Sequence, residues 1–317
     1  MLDKLGDLGS NIRETYQDAH KIVWQMDNES GSGTMTQTNV LPGIAVMQND
    51  FHMAQCSSYF VPNNEMLCID HCREGRIEWE LAGGSCYYVE AGDLNITNRR
   101  KHVHDFNFPL NHYHGFTIGI VLEEADKSLR ALPGGFPVDL YVLREKLCKN
   151  DAPLIATMTG MKGLDVSAMY TMPEDIRPAY YRVKVLELLL YLDHMEVSKE
   201  SAEKRYFYKT QVQKAKAIEH FLTMNLQKHY TLEELSGRFD IPLTTMKQCF
   251  KGVYGTSVYA YLKVFRMNAA AVMLRSTGES VGHIAAQMGY DNASKFSAAF
   301  KSVMGDTPAS YRGAHHI

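Results

Sequence analysis

Apolar residues recur at intervals of three and four along the last third of the chain, which is the spacing of amphipathic helices. The clearest case is the segment 257–276, which contains no Gly or Pro. Its apolar positions include Val258, Leu262, Phe265 and Met273. The pattern predicts one long helix of about 30 Å, at ~1.5 Å per residue.

The residues on either side of this helix repeat one pattern twice. The first copy runs from Leu235 to Tyr261 and the second from Ile284 to Tyr311, and Phe-Lys, Gly and Tyr recur at a spacing of 50. Each copy predicts a short helix, a tight turn and a second helix, the shape that fits the DNA major groove. Because the long helix between them is about one turn of B-DNA in length, both second helices could enter one face of a duplex.

Each copy carries its own start and stop signals for helices. In the first copy, Thr231 is followed three residues later by an acid, which predicts an N-cap, and the segment 240–242 ends in a proline that stops the helix. In the second copy, Ser280 and Asn292 are expected N-caps. Gly289 is the left-handed residue expected after a helix.

The second copy contains most of the residues that show a resemblance to a known protein family. They are Ile284-Ala-Ala-Gln-Met-Gly-Tyr-Asp-Asn-Ala-Ser-Lys-Phe296, Phe300-Lys301 and Gly305-Asp-Thr-Pro-Ala-Ser-Tyr-Arg312, with Arg266-Met267 and Met273-Leu274 in the long helix. These residues resemble the AraC/XylS family of bacterial transcription regulators. The resemblance covers about a third of the chain, from roughly Gln211 to Arg312. It implies a seven-helix DNA-binding domain, a role at promoters as an activator, and RNA polymerase as a partner.

Outward-facing side chains of the two second helices are the candidate DNA contacts. Thr244, Lys247 and Gln248 share the face expected to meet the groove, where Gln can pair with adenine and Lys with guanine. In the degenerate first copy, Gln248-Cys249 stands where the family often has an Arg-containing pair. The second copy presents shorter side chains, so we expect it mainly to anchor on phosphates. The predicted DNA-binding residues are Thr244, Thr245, Lys247, Gln248, Lys251, Asn292, Ser294, Lys295, Ser297 and Lys301.

Charge separates the two parts of the chain. From Lys209 to the end there are 13 basic and 7 acidic residues, a net charge of +6, whereas the whole chain carries −3 and the remainder therefore −9. A basic segment on an acidic body is expected for a protein that contacts phosphates. Charge alone would fit a solvated basic surface equally well.

The first two thirds of the chain shows short extended runs. The alternation is clearest in Ile77–Leu81, where Ile77, Trp79 and Leu81 share one face, and Gly83-Gly84 and Gly92-Asp93 are hairpin signals. Closely spaced strands of this kind suggest a small barrel or sandwich. The predicted strands are Ile44–Met47, Met66–Cys72, Ile77–Leu81, Cys86–Val89, Leu94–Thr97 and Phe116–Leu122.

Two phrases in this region, Glu74-Gly75-Arg76-Ile-Glu-Trp79 and Glu90-Ala-Gly-Asp-Leu94, resemble the cupin-like sensor domains that precede the DNA-binding part in many regulators of this family. The resemblance implies a barrel that binds a small-molecule effector, with regulators of iron-chelate sensing as the most similar subgroup. Candidate effector-binding residues are the aromatic side chains Trp79, Tyr87, Tyr88 and Phe116, whose alternative role is that of plain core.

Helices are expected on both sides of the strands. Ile12, Tyr16 and Ala19 predict a helix within residues 1–26, whereas the Gly-, Ser- and Thr-rich residues 28–38 predict a loop. Further helices are predicted at Val138–Cys148, Ala152–Met158 and Pro178–His194. The last of these is apolar on more than one side, so it is either buried within its domain or partly covered by a second subunit in a homodimer.

These elements predict an α+β, multi-domain fold. A cupin-like effector-sensing domain would span residues 1–135, and a helical extension, which could mediate dimerisation, would span 136–200. A charged linker at 201–210 would connect them to a double helix-turn-helix domain at 211–317.

Four histidines are weak candidates for a metal site. His102 alternates with His104, and His112 with His114, so two adjacent strands could gather four imidazoles suited to Zn, Cu, Fe or Ni. No carboxylate is spaced as in the metal-binding cupin motif, so no metal and no cofactor is expected. Cys68 and Cys72 would share a strand face as small buried thiols.

The chain lacks the sequence motifs of common catalytic sites, including Gly-x-Ser-x-Gly, a phosphate loop and a dinucleotide fingerprint. We therefore expect no enzyme. The alternative is a metal-dependent cupin enzyme, or a repair-type methyl acceptor with an activated thiol, fused to a DNA-binding domain. The six cysteines lack a disulfide-rich spacing, the first residues carry acids, and no apolar run approaches the ~20 residues of a membrane span. These features favour a cytoplasmic protein.

Overall fold

A computed structural model describes residues 11–57, 65–81, 83–99, 105–149, 152–158, 161, 163–197 and 206–315. The chain divides into two compact units. The amino-terminal unit runs to Gly83 and resumes over Tyr87–Tyr206, and the carboxyl-terminal unit holds Gly84–Cys86 and the chain from Phe207 onward. The predicted α+β class is confirmed, because the first unit is built on an antiparallel sheet and the second is almost entirely helical.

The sheet of the amino-terminal unit is antiparallel and curled into a half-barrel. The described strands of the chain are β1 (Ile12–Gln17), β2 (Lys21–Asn28), β3 (Gly31–Leu41), β4 (Ile44–His52), β5 (Gln55–Ser57), β6 (Met66–Leu81), β7 (Ser85–Glu90), β8 (Asp93–Asn98), β9 (Asp105–Asn107), β10 (Tyr113–Val121), β11 (Leu154–Thr157) and, in the carboxyl-terminal unit, β12 (Phe207–Tyr208). Neighbouring strands of the sheet run in the order β1-β2-β3-β4-β10-β6, and the first half of the long strand β6 also pairs with β8, which pairs with β11.

The two faces of this sheet belong to different hydrophobic cores. Along β4, Val46 contributes to the core on the outer face and Phe51 to the core on the inner face. Successive side chains of a strand point to opposite faces, so one strand supplies both. The helices α1 (Leu122–Arg130), α2 (Leu140–Leu147) and α3 (Arg177–His194) pack on the outer face, and α3 buries Val185, Leu188 and Leu192 there.

Three local expectations were wrong. Residues 12–26 lie in β1 and β2 rather than in a helix, because Asp18 accepts hydrogen bonds from the amides of His20 and Lys21 and turns the chain into a hairpin. Residues 31–41 form β3 rather than a loop. There Gly33 lies under the Phe51 ring, and a Cβ at this glycine would come within 2.2 Å of that ring. Residues 154–157 form β11, which pairs with β8, rather than a helix.

Most other predicted elements are confirmed. Each of the six predicted strand runs falls on a strand, although Leu122 already begins α1, and the turns at Gly83-Gly84 and at Gly92 connect consecutive strands. The helix predicted at Pro178–His194 begins one residue earlier, at Arg177. The helix predicted at Val138–Cys148 is observed at Leu140–Leu147.

Among its described residues, the carboxyl-terminal unit contains seven helices, the number that the family resemblance implied. They are α4 (Lys209–Thr223), α5 (Leu232–Arg238), α6 (Leu243–Tyr254), α7 (Val258–Ser276), α8 (Val281–Gln287), α9 (Ala293–Met304) and α10 (Pro308–His315). Helices α5 and α6 form the first copy of the repeat, and α8 and α9 form the second. Helix α7 packs against helices of both copies, with Met267, Ala270 and Leu274 in the core of the second.

Candidate functional site

The turn between the two helices has the same backbone in both copies. In the first, the amide of Ile241 donates to the carbonyl of Ser236 at 3.1 Å, and in the second, the amide of Tyr290 donates to that of Ala285 at 2.9 Å. The left-handed position is Asp240 with φ +46° in one copy and Gly289 with φ +77° in the other. The donor and the acceptor of the second hydrogen bond each lie 49 residues after those of the first. The repeat predicted from side chains is therefore also a repeat of backbone geometry.

Side-chain caps start three of the four helices in the two copies. Thr231 accepts from the Glu234 amide at 3.1 Å, and the Glu234 carboxylate accepts from the Thr231 amide at 2.8 Å, which completes a capping box. Ser280 accepts from the amide three residues later at 3.1 Å. Asn292 accepts from the amides of the second and third residues after it, at 2.9 and 3.0 Å. The caps predicted at these three positions are confirmed.

Helix α6 turns its polar side chains outward. Thr244, Lys247, Gln248 and Lys251 are exposed and Thr245 is partly buried. The opposite side of the helix is fully packed, by Met246, Cys249, Phe250, Val253 and Tyr254. The face that carries the predicted base contacts therefore makes little contribution to the core and is open to a partner.

Helix α9 presents shorter side chains than α6 on its exposed face. Ser294, Lys295 and Lys301 are exposed, as is Asn292 at its cap, and Ser297 is partly buried. The Oδ1 of Asn292 accepts from two amides of the first turn, and these bonds do not involve the Nδ2 donors of its side chain.

A set of polar contacts inside the unit joins the segment between α4 and α5 to α7 and to the turn of the second copy. Arg266 on α7 is buried and donates to the Lys228 carbonyl at 3.0 Å, and a ring nitrogen of His229 lies 2.6 Å from the Gly289 carbonyl oxygen. Burial lowers the pKa of Arg266. The chain between α4 and α5 is thereby tied to the turn of the second copy. Sequence reasoning noticed Arg266 only as a family residue and missed this role.

A second tie joins α4 to α7. The Tyr261 hydroxyl donates to a carboxylate oxygen of Glu219 at 3.0 Å. Burial raises the pKa of Glu219, and burial with the neighbouring carboxylate raises the pKa of Tyr261. Helix α7 therefore packs against helices of both copies on their core-facing side, and the polar faces of α6 and α9 stay exposed.

The inner face of the half-barrel encloses a cavity of about 120 Å³. Its wall is mostly apolar, with thioether and aromatic side chains predominating. Of the four predicted effector-binding residues, Trp79 lines this cavity, whereas Tyr87, Tyr88 and Phe116 do not. The apolar lining includes Met26, Met35, Met47, Met66, Phe51, Phe106, Phe108 and Ile77, and the polar lining includes Gln37, Asn49, Asp70, Arg99 and Thr117.

The polar part of the wall centres on a buried carboxylate. Asp70 accepts from the Thr117 hydroxyl at 2.7 Å and from the Asn95 amide at 3.1 Å, and the Arg99 guanidinium lies 3.5 Å away. That guanidinium also lies over the Trp79 ring, 5.3 Å from its centroid. Within the described ranges, the Nε1 of Trp79 and the Nε of Arg99 are buried donors without a hydrogen-bond partner.

The other three predicted effector residues have structural contacts. The Tyr87 hydroxyl donates to Asn95 at 3.4 Å, and the Tyr88 hydroxyl donates to Glu78 at 2.7 Å. Phe116 lies on the outer face, stacked on His71 with ring centroids 5.2 Å apart. Alternation along the strand could predict that Trp79 shares one face with Ile77 and Leu81, but it could not predict which face of the sheet lines a cavity.

Two of the four histidines in the predicted cluster, His112 and His114, fall among the described residues. His102 and His104 lie outside the described residues. His114 packs edge-on against Tyr170, with centroids 5.2 Å apart. His112 instead lies beside Asp50 and His52, and ligand atoms of these three residues lie within 4.8 Å of one another.

All six cysteines are buried and none forms a disulfide. Burial raises the pKa of Cys56 to about 12 and that of Cys68 to about 11. Such thiols are held in the protonated form, which is the opposite of an activated nucleophile.

Comparison with known proteins places the similarity in the carboxyl-terminal unit. A family model described as a helix-turn-helix domain matches residues 235–314. The transcriptional activator RhaR of Mannheimia succiniciproducens is 27% identical over 101 residues, covering 32% of this chain and 37% of that protein. The bifunctional transcriptional activator and DNA repair enzyme AdaA of Bacillus subtilis is 32% identical over 95 residues, covering 30% and 45%.

Among solved structures, the C-terminal domain of the response regulator AraT from Geobacillus stearothermophilus is 28% identical, with a TM-score of 0.32, and covers 33% of this chain and 87% of that one. The matched segment spans less than half the length of the two curated relatives. Among the helices of the described residues, none is both long and apolar enough to cross a membrane.

Proposed function

We propose that the chain is a sequence-specific DNA-binding transcription regulator whose carboxyl-terminal unit, which matches a helix-turn-helix family model, is an AraC-type DNA-binding domain. The observation that carries the proposal is the pair of equivalent helices α6 and α9, which are exposed on their polar faces and held by one helix of 19 residues. We call α6 and α9 the recognition helices. At ~1.5 Å per residue, α7 is about as long as one turn of B-DNA.

The two recognition helices would divide the work. Lys247 and Gln248 on α6 have the reach and the donor groups for base edges in the major groove. The outward residues of α9 are serines, an alanine and lysines, which suit phosphate oxygens better than bases. The net charge of +6 from Lys209 onward supports contact with a polyanion.

Control by a small molecule in the amino-terminal unit is the second part of the proposal. The cavity has about the volume of an engineered 150 Å³ cavity that binds benzene. Two buried donors, on Trp79 and Arg99, have no hydrogen-bond partner in the part of the chain that the structure describes, and they suit a hydrogen-bond acceptor on the ligand. We therefore favour a compact, mainly apolar effector with a carbonyl or carboxylate oxygen, whereas the sequence suggested an iron chelate. An effector shifts promoter occupancy only by its differential affinity for the two states of the protein.

A homodimer through α3 fits the exposed apolar residues of that helix. Val183 and Leu190 are seven residues apart and 65% and 44% exposed, and Ile176, at the N-cap, is 49% exposed in the same register. A repeat of seven aligns side chains along one stripe of a helix, which a second copy could cover. An activator that contacts RNA polymerase remains what the family resemblance implies.

A repair-type function, in which a cysteine accepts a methyl group, is the alternative. It requires an exposed thiol of low pKa. The burial of every cysteine and the raised pKa values of Cys56 and Cys68 favour the regulator instead.

The proposal is tested by a gel-shift titration of the full chain with the duplex that lies upstream of its own gene. We expect specific binding that survives excess competitor DNA.

Benzoate and toluene serve as effector probes of equal ring size, and benzoate alone should stabilise the protein in a thermal-shift measurement. Trp79→Phe should weaken the benzoate effect, because it removes the Nε1 donor and keeps an aromatic ring, whereas Trp24→Phe, a buried control outside the cavity wall, should not. Absence of specific DNA binding would refute the regulator, whatever the ligand results.

A further inference from the structure

We propose that Asp50, His52 and His112 form a binding site for a transition-metal ion of the zinc class on the outer face of the half-barrel. The proposal is independent of the proposed regulatory function. Of the four histidines proposed from the sequence, the site includes His112. Its other two ligands, Asp50 and His52, come from β4, and His112 itself comes from the turn before β10.

The sheet register brings the three residues together. Asp50 and His52 are two apart on β4, so their side chains share one face. Strand β10 pairs antiparallel with β4, with Tyr113 opposite Phe51 and His114 opposite Asp50. His112, one residue before the strand, therefore falls beside His52, and their ring centroids are 4.8 Å apart.

The ligand atoms already lie near coordination distances. The Nε2 of His52 is 3.3 Å from an Oδ1 of Asp50, and all three ligand atoms lie within 4.8 Å of one another. Ligands of a tetrahedral zinc ion, with bonds of ~2.0–2.2 Å, are about 3.3–3.5 Å apart. Small side-chain rotations would close the remaining gap, and exposure of 54% for Asp50 and 64% for His52 leaves room for them.

A fourth donor is within reach. Glu74 on β6 has a carboxylate oxygen 3.6 Å from the Nε2 of His112, and its side chain is 54% exposed. The Nδ1 of His112 is buried, so Nε2 is the nitrogen that a metal ion can approach. Two imidazoles with one or two carboxylates favour Zn²⁺ over Mg²⁺ or Ca²⁺, which prefer all-oxygen sites.

An ion at this site would connect three strands near one end of the sheet. Asp50 and His52 end β4, His112 precedes β10 and Glu74 lies in the middle of β6. Because the unfolded chain lacks the preformed site, ion binding should stabilise the folded amino-terminal unit.

The test is calorimetric titration of the metal-stripped full chain with zinc chloride, compared with magnesium chloride. We expect one zinc ion to bind with these residues as ligands and magnesium not to bind. His52→Ala and His112→Ala should each weaken that event at least about tenfold. Asp50→Asn, which keeps the shape of the side chain, should also weaken it. Zinc should raise the unfolding midpoint that tryptophan fluorescence reports, since Trp24 and Trp79, the two tryptophans of the chain, both lie in this unit.

His283→Ala is the matched control. The Nε2 of His283 also lies near a carboxylate oxygen, 3.8 Å away on Glu279, but His283 is not in the three-ligand group found among the described residues. This variant should bind zinc as the native chain does. Zinc binding that persists unchanged in the His52→Ala, His112→Ala double variant would assign the ion to an adventitious surface site and overturn the proposal. The absence of any zinc binding at neutral pH would overturn it equally.

Discussion

Single residues close the turns on which the two recognition helices depend. Asp240 and Gly289 take the same left-handed conformation, yet only the second is glycine. The side chain of Asp240 is fully exposed, so its Cβ meets no obstacle. At Gly289 an added Cβ would lie 2.7 Å from the Leu226 carbonyl oxygen and 3.0 Å from the Arg266 guanidinium. The difference between the copies is therefore one of space.

Gly289→Ala should destabilise the carboxyl-terminal unit far more than Gly305→Ala. Both glycines have φ near +80°, but a Cβ at Gly305 would meet no heavy atom within 4 Å. Gly305→Ala should thus cost only the conformational strain, about 1–2 kcal/mol, whereas Gly289→Ala adds a backbone clash. Urea unfolding followed by the helical circular-dichroism signal measures both. Equal losses in the two variants would contradict the close packing of the second turn on residues 226–229.

His71 should make the stability of the amino-terminal unit depend on pH. Burial, and then the charge of Arg73, lowers the pKa of His71 from 6.5 to about 4. As pH falls below 6.5 the unfolded chain takes up a proton that the folded unit refuses until about pH 4, so stability is lost across that window. At pH 5 the loss is about 2 kcal/mol relative to neutral pH.

The measurement is urea unfolding followed by tryptophan fluorescence at pH 7 and at pH 5. His71→Gln should show a correspondingly smaller loss on acidification than the native chain, because glutamine does not titrate. An identical loss in both proteins would show that His71 titrates normally in the folded unit.

At the scale of elements, periodicity predicted the helices of the last third well because they bury apolar side chains at helical spacing, and four of them, α5, α7, α8 and α9, begin at a side-chain cap. Strands β2 and β3 were missed for identifiable reasons. Ile12, Tyr16 and Ala19 have the spacing of a helix face, which favours a helix. Ile22, Trp24 and Met26 alternate instead, and this alternation is the pattern of β2. The small residues of β3 suggested a loop, although Gly33 is required there by the ring of Phe51.

The sites were less predictable than the elements. Trp79 could be chosen from its strand alternation, but the Asp70 and Arg99 side chains beside it come from distant positions on β6 and just after β8. Likewise His112 is sixty residues from His52, and only the register of β4 with β10 brings them together. Without strand pairing, a sequence gives candidates for a site but not its members.

The two recognition helices should respond differently to substitution. Gln248→Ala on α6 should relax sequence preference, with about 1–3 kcal/mol lost on the preferred site and little on others. Lys301→Ala on α9 should weaken all duplexes to a similar extent and lower the salt dependence of binding. Fluorescence anisotropy with specific and scrambled duplexes at two salt concentrations separates these effects. Should Ser297→Ala cost more specificity than Gln248→Ala, the division of roles between the helices is wrong.

At the scale of the whole molecule, the exposed stripe on α3 bears on the number of subunits. Val183→Asp should shift the full chain toward monomer in light scattering, because a charge would be buried in the proposed interface. Val142→Asp on α2 is the control, since Val142 is similarly exposed, at 62%, but lies on another helix. If the native chain is already monomeric at micromolar concentration, the proposed α3 interface does not form.

The central claim is that one chain places α6 and α9 in successive major grooves on the same face of DNA. Hydroxyl-radical footprinting of the full chain on its upstream duplex measures this most directly. The account predicts two protected patches per chain, about 10 base pairs apart and on one face of the helix. A single patch per chain, or two patches on opposite faces, would contradict it.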